Sequence, residues 1–188
     1  MSFLKEFIAT PGATGAIAPS STFLARTMIE GLGLQSAEAV LEYGPGTGAF
    51  TEFILRDLNP RAKFAAIELN PTFAETFKAR YPRVRLIQDS VTNVRSICDR
   101  EEIHSVDSIV SGLPWAVFPP SLQVTCLEEM MRVLKPGGNF VTFAYFHGLA
   151  LSPARKFASL LPRYFKTISK SPVVWLNLPP AFVYRCQR

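Results

Sequence analysis

The stretch VLEYGPGTGAF (residues 40–50) sets three glycines and a proline within five residues, directly behind an apolar run. An apolar run that ends in such a turn reads as a buried strand passing into a helix. Glycine permits positive φ and lets a ligand approach the backbone with no Cβ in the way. The helix that follows offers free N–H groups at its start. A plain tight turn would account for the glycines, but not for the lone Glu42 two residues before Gly44.

Working outward, Ser20 or Ser21 caps a helix with Phe23, Leu24, Met28 and Leu32 at helical spacing, stopped by Gly31 and Gly33. Ala39–Tyr43 is the first strand, and residues 49–58 form a helix ended by Asn59-Pro60. Lys63–Ile67 is the second strand. Asn70-Pro71 then caps and opens a helix with Phe73 and Phe77 on one face. Residues 84–87 and 105–110 are the third and fourth strands. A helix runs from Pro120 to Leu134, Lys135-Pro136-Gly137-Gly138 ends it, and residues 139–145 form the fifth strand. Strand and helix alternating at this period imply an α/β fold with a mostly parallel sheet and helices on both faces. Residues 164–169, 173–178 and 182–186 are strand-like with short connections. They predict an antiparallel C-terminal edge hairpin, with Pro179-Pro180 at a bend or bulge.

At 188 residues the chain suits one domain with a sizeable core. No run approaches the ~20 apolar residues of a membrane span. The N-terminal MSFLKEFIATPG lacks a signal peptide's long apolar stretch, which predicts a cytoplasmic protein. Cys98, Cys126 and Cys186 have no metal-like spacing and read as buried thiols; two histidines without clustered partners argue against a metal. The net charge of +5 conceals an asymmetry. All 15 acids lie at or before Glu129, and the nine basic residues beyond it have none to balance them. Such a segment suits a solvated face or an anionic partner such as a phospholipid surface or RNA.

In sheets of this kind ligands bind beyond the carboxyl ends of the strands. Gly44, Gly46 and Gly48 stand at the end of the first strand, and Glu68, at the end of the second, can hold both hydroxyls of a ribose. Gly44, Gly46 and Ala49 also satisfy the looser dinucleotide pattern G-x-G-x-x-A. Glu42, however, would repel a pyrophosphate and suits the cationic end of S-adenosylmethionine. Asp89-Ser90 supplies polar groups where an adenine amine would lie, and too little chain remains for a dehydrogenase's second domain.

This order, E-x-G-x-G-x-G, an acid after the second strand and Asp-Ser after the third, resembles class I methyltransferases over residues 38–188. The resemblance implies a Rossmann-like seven-stranded sheet and S-adenosylmethionine as cofactor, leaving S-adenosylhomocysteine. It implies cofactor contacts from Ser21, Glu42, Gly44, Gly46, Gly48, Glu68, Leu69, Asp89, Ser90 and Gly112. Ser111-Gly112-Leu113-Pro114-Trp115 ends the fourth strand, where amine-methylating enzymes carry a similar motif. Gly112, Leu113, Trp115 and Tyr145 are accordingly the expected catalytic residues, with Trp115 offering an aromatic face to cationic nitrogen. A core tryptophan is the plain alternative.

Two amine-methylating families come near. Ribosomal RNA adenine dimethylases share E-x-G-x-G, but Gly112 stands where their asparagine does, and no helical RNA-docking domain follows. The opening FLKEFIATPGATGAIAPSSTFLARTM, the turn EYGPGTGAFT, the motif SGLPW and the ending NLPPAFVYR are similar to bacterial phospholipid N-methyltransferases. That resemblance implies methylation of the phosphatidylethanolamine headgroup towards phosphatidylcholine, at the inner face of the membrane, with no nucleic acid partner. Residues 1–37 become an N-terminal helical segment, with Phe3, Leu4, Phe7 and Ile8 as an apolar edge able to touch lipid and cover the pocket. This segment departs from the family in carrying only Lys5, offset by Glu6. Arg155 or Lys156 could meet the phosphate, and Tyr145, His147 or water the amine proton. An RNA or small-molecule amine methyltransferase would keep the cofactor site without lipid binding, and a non-catalytic lipid-binding module would need no intact turn.

Overall fold

A computed structural model describes residues 20–188; the expected lipid-touching edge at Phe3, Leu4, Phe7 and Ile8 lies outside the described residues. The short apolar runs become β1 (Ala39–Tyr43), β2 (Lys63–Ile67), β3 (Arg85–Ile87), β4 (Val106–Ser111) and β5 (Leu134–Tyr145). They lie parallel, and β7 (Ala181–Gln187) pairs antiparallel with both β5 and β6 (Thr167–Lys170). The seven-stranded order is β3-β2-β1-β4-β5-β7-β6. The mostly parallel sheet with an antiparallel C-terminal edge is the architecture the sequence implied.

Six α-helices flank the sheet among the described residues: α1 (Thr22–Ile29), α2 (Thr51–Asp57), α3 (Pro71–Arg80), α4 (Val94–Arg100), α5 (Pro120–Met131) and α6 (Ser152–Tyr164). Side chains alternate between faces along a strand, and β1 shows the consequence. Val40 packs with Leu24, Met28 and Ile54 from α1 and α2, while Leu41 and Tyr43 join Ile97, Leu127 and Phe157 from α4, α5 and α6. Glu42 falls on the α2 side of this alternation and is wholly buried there. Two caps foreseen from sequence form: the side chain of Ser21 accepts from Leu24 N, and that of Asn70 accepts from Thr72 N and Phe73 N.

Three expectations need correction. Residues 173–178 form no strand beyond one bridge between Val174 and Ala181. Both edges of β7 are already taken by β5 and β6, so no partner is left for this segment. Residues 164–169 are not one strand either, because α6 runs through Tyr164 and β6 begins at Thr167. Ala154, Phe157, Leu160 and Leu161 are buried at helical spacing, and the early proline of α6 suits a helix start. The helix from Pro120 stops at Met131, since Leu134 already pairs with Val106 and opens β5. All three cysteines are buried and free, and burial pushes their thiols up to about 11 for Cys98 and about 12 for Cys126 and Cys186.

Candidate active site

The glycine turn after β1 has positive φ at Gly44, Gly46 and Gly48, of 61°, 57° and 84°. The three glycines answer different demands. A Cβ on Gly44 would stand 2.6 Å from Leu113 Cδ2, and one on Gly48 would stand 2.2 Å from the Tyr81 ring. Around Gly46 a Cβ would meet nothing within 4 Å. Gly44 and Gly48 are thus compressed by neighbours, while Gly46 presents bare backbone. The Tyr81 hydroxyl donates to Gly48 O at 3.0 Å and braces the turn from α3. Gly112, following β4, sits against the same turn: its N–H donates to Tyr43 O at 2.8 Å, and a Cβ there would lie 2.6 Å from Gly44 O.

Carboxylates gather around the bare backbone. Glu68 accepts from Gly46 N at 3.1 Å through one oxygen and from Asn70 N at 2.9 Å through the other. It therefore joins the glycine turn to the start of α3. Burial raises its pKa above the usual carboxylate range against the opposing pull of those hydrogen bonds. Glu42 accepts from the Thr51 hydroxyl at 2.7 Å through Oε2, while its buried Oε1 has no hydrogen-bond partner among the described residues. Burial pushes this carboxyl up to about 8, Thr51 opposes the rise and Glu68 adds to it. An orphaned acidic oxygen in the core invites a cation or donor. Asp89 is partly buried, which alone would raise it, yet donors on Asn93, Ser90 and Arg100 hold it below the usual range.

The structure brings Gly112 and Leu113 together with the glycine turn, while Leu69 packs, half-buried, against the core. Ser90 caps the turn that follows it, accepting from Thr92 N. Ser21 caps α1, and its N–H donates to Asn177 Oδ1 at 2.9 Å. Tyr145 ends β5 half-buried, with its ring edge-on to Phe143 and stacked on the exposed His147. Arg155 and Lys156 are exposed on the first turns of α6.

Trp115 requires a correction. Its ring is 2% exposed, stacks on Phe157 at 4.7 Å and meets Phe118 and Phe140 at 5.8 Å each. The indole N–H donates to Ser111 Oγ at 3.1 Å. With Phe157 stacked on it and its indole N–H paired, the ring is buried among Phe118, Phe140 and Phe157, as the plain alternative of a core tryptophan has it. Its position in the motif suggested otherwise because a motif fixes sequence spacing, not the side to which a ring turns.

Sequence reasoning missed Thr51, Tyr81, Ser111 and Asn177. Thr51 is nine residues beyond Glu42, and only the helix start after the turn hinted that a hydroxyl could reach back. Tyr81 and Asn177 act across 33 and 156 residues of separation, for which a single sequence carries no signal.

Comparison with known proteins matches this geometry to a family. The methyltransferase domain family matches residues 40–138, and the chain belongs to it. The chain is 29% identical over 188 residues to the ornithine lipid N-methyltransferase of Singulisphaera acidiphila, covering 98% of this chain and 94% of that protein. It is 35% identical over 101 residues to the ribosomal RNA small subunit methyltransferase A of Chlorobium phaeobacteroides, covering 53% of this chain and 36% of that one. The fold is similar to that of an O-methyltransferase from Bacillus cereus in complex with S-adenosylhomocysteine, with a TM-score of 0.72 at 15% identity over 98% of this chain and 90% of the other. It also resembles TomG from Streptomyces achromogenes in complex with S-adenosylmethionine, with a TM-score of 0.69 at 15% identity over 100% and 91%.

Proposed function

We propose that this methyltransferase transfers methyl groups from S-adenosylmethionine to the amine of a membrane aminolipid, with phosphatidylethanolamine, towards phosphatidylcholine, as the first reading. The observation that carries it is the likeness to the ornithine lipid enzyme, which runs almost the full length of both chains, whereas the ribosomal RNA likeness covers about half of this one. The same likeness favours a second reading, in which the accepting amine belongs to an ornithine lipid. Action at the membrane surface as a peripheral protein follows from either. Among the described residues no helix is long and apolar enough to cross a membrane.

The residues fit the donor. In this reading the bare Gly46 backbone leaves room for it, Glu68 takes the ribose hydroxyls, Asp89 and Ser90 take the adenine, and Glu42 meets the positive charge. The cofactor supplies an activated methyl, so the protein must chiefly align the accepting amine with it. An ethanolamine ammonium, judged by lysine's value of about 10.4, is mostly protonated at neutral pH and must lose a proton first. Burial raises the Tyr145 hydroxyl, which keeps it neutral. Tyr145 therefore accepts a hydrogen bond and orients the amine, and the proton leaves to water. Leu113 lies over Gly44 and forms the wall between the donor and acceptor sides.

The test is incubation with methyl-labelled S-adenosylmethionine and vesicles of defined headgroup, followed by lipid separation. Label in phosphatidylethanolamine products supports the first reading, and label only in ornithine lipid supports the second. Label in neither lipid, with RNA or a soluble amine methylated instead, overturns both.

A further inference from the structure

The basic residues behind the charge asymmetry of the sequence divide into paired and unpaired ones. Of the nine basic residues beyond Glu129, Arg132, Lys135 and Arg185 pair with Glu129, Asp107 and Glu30. Arg188 donates to the carbonyls of Met131 and Leu134. The other five, Arg155, Lys156, Arg163, Lys166 and Lys170, lie on α6, on β6 or between them, are exposed, and have no ion pair among the described residues. Lys170 rests instead over the rings of Phe182 and Tyr184, at 5.4 and 5.3 Å.

Arg163 and Lys166 lie toward the far end of the sheet, where Lys166 N donates to Gln187 O and Gln187 faces Asn139, but Arg155 and Lys156 at the start of α6 and Lys170 at the end of β6 lie toward the end that carries an apolar ridge. Of the eight large apolar side chains exposed among the described residues, five are Phe146, Leu151, Trp175, Leu176 and Leu178. Trp175 and Leu176 are each 66% exposed, and Leu178 is 76% exposed. The ridge is built, not frayed. Val174 N donates to Ala181 O at 2.7 Å, Asn177 Nδ2 to Pro179 O at 2.7 Å, and Phe146 N to Pro180 O at 2.8 Å, while the Phe146 and Trp175 rings lie 6.1 Å apart. Because β7 runs antiparallel to β5 and Ala181 pairs with Tyr145, the ridge projects from the sheet end that carries the glycine turn.

We propose that residues 171–180, with Phe146 and Leu151, form a wedge that enters the interfacial layer of an anionic lipid bilayer, while Arg155, Lys156 and Lys170 lay their unpaired charges on its phosphates. This rests on the aminolipid reading and adds where the bilayer meets the protein. An exposed tryptophan flanked by leucines suits the headgroup boundary, and stable attachment needs apolar insertion together with cations. Both signals meet here, at the end where an aminolipid would enter.

The tryptophans make the test direct. Trp175 is exposed and Trp115, the only other one, is buried, so an emission change on adding vesicles reports Trp175. With the full chain and vesicles of phosphatidylcholine and phosphatidylglycerol in equal parts, the emission should shift to the blue and be quenched by brominated acyl chains. Trp175→Phe should abolish both effects. Replacing Trp175, Leu176 and Leu178 by serine should lower vesicle affinity about tenfold or more with melting temperature unchanged. Arg155→Gln with Lys156→Gln should lower it roughly 20-fold on these vesicles and little on pure phosphatidylcholine.

The wedge is overturned by an absent blue shift, or by a serine variant that binds vesicles as the wild type does. It is equally overturned if Trp175 is already shielded from iodide without vesicles, since residues 1–19, a second copy or a protein partner would then cover the ridge. Methyl transfer to a short-chain aminolipid dissolved as monomers separates this inference from the substrate reading. The serine variant should keep that activity while losing activity on vesicles. Docking without methylation of any lipid would sustain the wedge and overturn the substrate reading.

Discussion

At the β1–β3 side of the sheet, the groups around the glycine turn are tied inward. Glu68 holds Gly46 and Asn70, Tyr81 holds Gly48, and Asp89 is held by Asn93 and Arg100. At the β5–β7 side the same sheet end carries exposed apolar side chains and cations without ion pairs. One region satisfies its own polar groups and leaves a bare strip of backbone; the other leaves surface that water serves poorly. The proposed reading, a soluble cofactor on one side and a lipid acceptor on the other, accounts for this contrast.

Trp115 marks the boundary between the two regions, and its removal should have the largest effect. Stacked on Phe157 and wholly enclosed, Trp115→Ala should cost roughly 3–5 kcal/mol of stability, measured by denaturant unfolding. Cofactor affinity per folded molecule should survive, because the ring's contacts are with Phe118, Phe140, Phe157 and Ser111. Normal stability with lost turnover would instead return the ring to the acceptor side. Glu42 should follow, with an effect of a few kcal/mol that depends on pH. Its folded value is raised to about 8, so the folded protein holds a proton that the unfolded chain releases near 4.5. Stability from this group is full below about 4.5 and is lost as pH rises through about 8. Glu42→Gln should flatten that alkaline slope. If a cation seats at Oε1, cofactor binding below about pH 8 should release a proton, visible as a buffer-dependent calorimetric enthalpy.

The strands and turns of the inward-tied half were readable in the sequence to within a residue or two, whereas its short helix Val94–Arg100 was not foreseen. Ala39–Tyr43 and Lys63–Ile67 match their expected bounds because each is a short apolar run closed by its own turn residues. Asn70 and Pro71 act on neighbouring N–H groups, so their chemistry is local. The outer half was misread where partners are remote. Residues 173–178 have strand-like composition, but β6 had already taken the free edge of β7. The helix at Ser152–Tyr164 did carry a legible period in Ala154, Phe157, Leu160 and Leu161, which the prolines at 153 and 162 obscured. In the site, the spacing of Glu42, Gly44, Gly46 and Glu68 was informative because strand ends fix where those groups stand. The direction of the Trp115 ring was not, since it depends on Phe157 and Phe140 arriving from later elements.

Glu68→Gln should have a smaller effect on stability and a selective one on binding. The amide keeps one accepting oxygen for Gly46 or Asn70 and loses the other, which should cost about 1–2 kcal/mol. Cofactor affinity should fall at least about tenfold, because a carboxylate accepts from both ribose hydroxyls more strongly than an amide does. Unchanged affinity by calorimetry would leave Glu68 as a brace of the turn and nothing more.

The smallest stability effect should come from Gly46→Ala, and it tests whether the bare backbone serves the ligand. No neighbour lies within 4 Å of the new Cβ, so the variant bears no clash. It does place a side chain at φ 57°, a left-handed conformation that costs about 1 kcal/mol for an L residue. If a ligand lies against this backbone, the methyl must displace it, and cofactor affinity should fall by more than the roughly fivefold that 1 kcal/mol represents. Melting temperature and cofactor titration on the same variant separate the two terms. An affinity loss no larger than the stability loss would make the inward-tied half a braced turn alone, and the contrast with the exposed half would then concern packing, not binding.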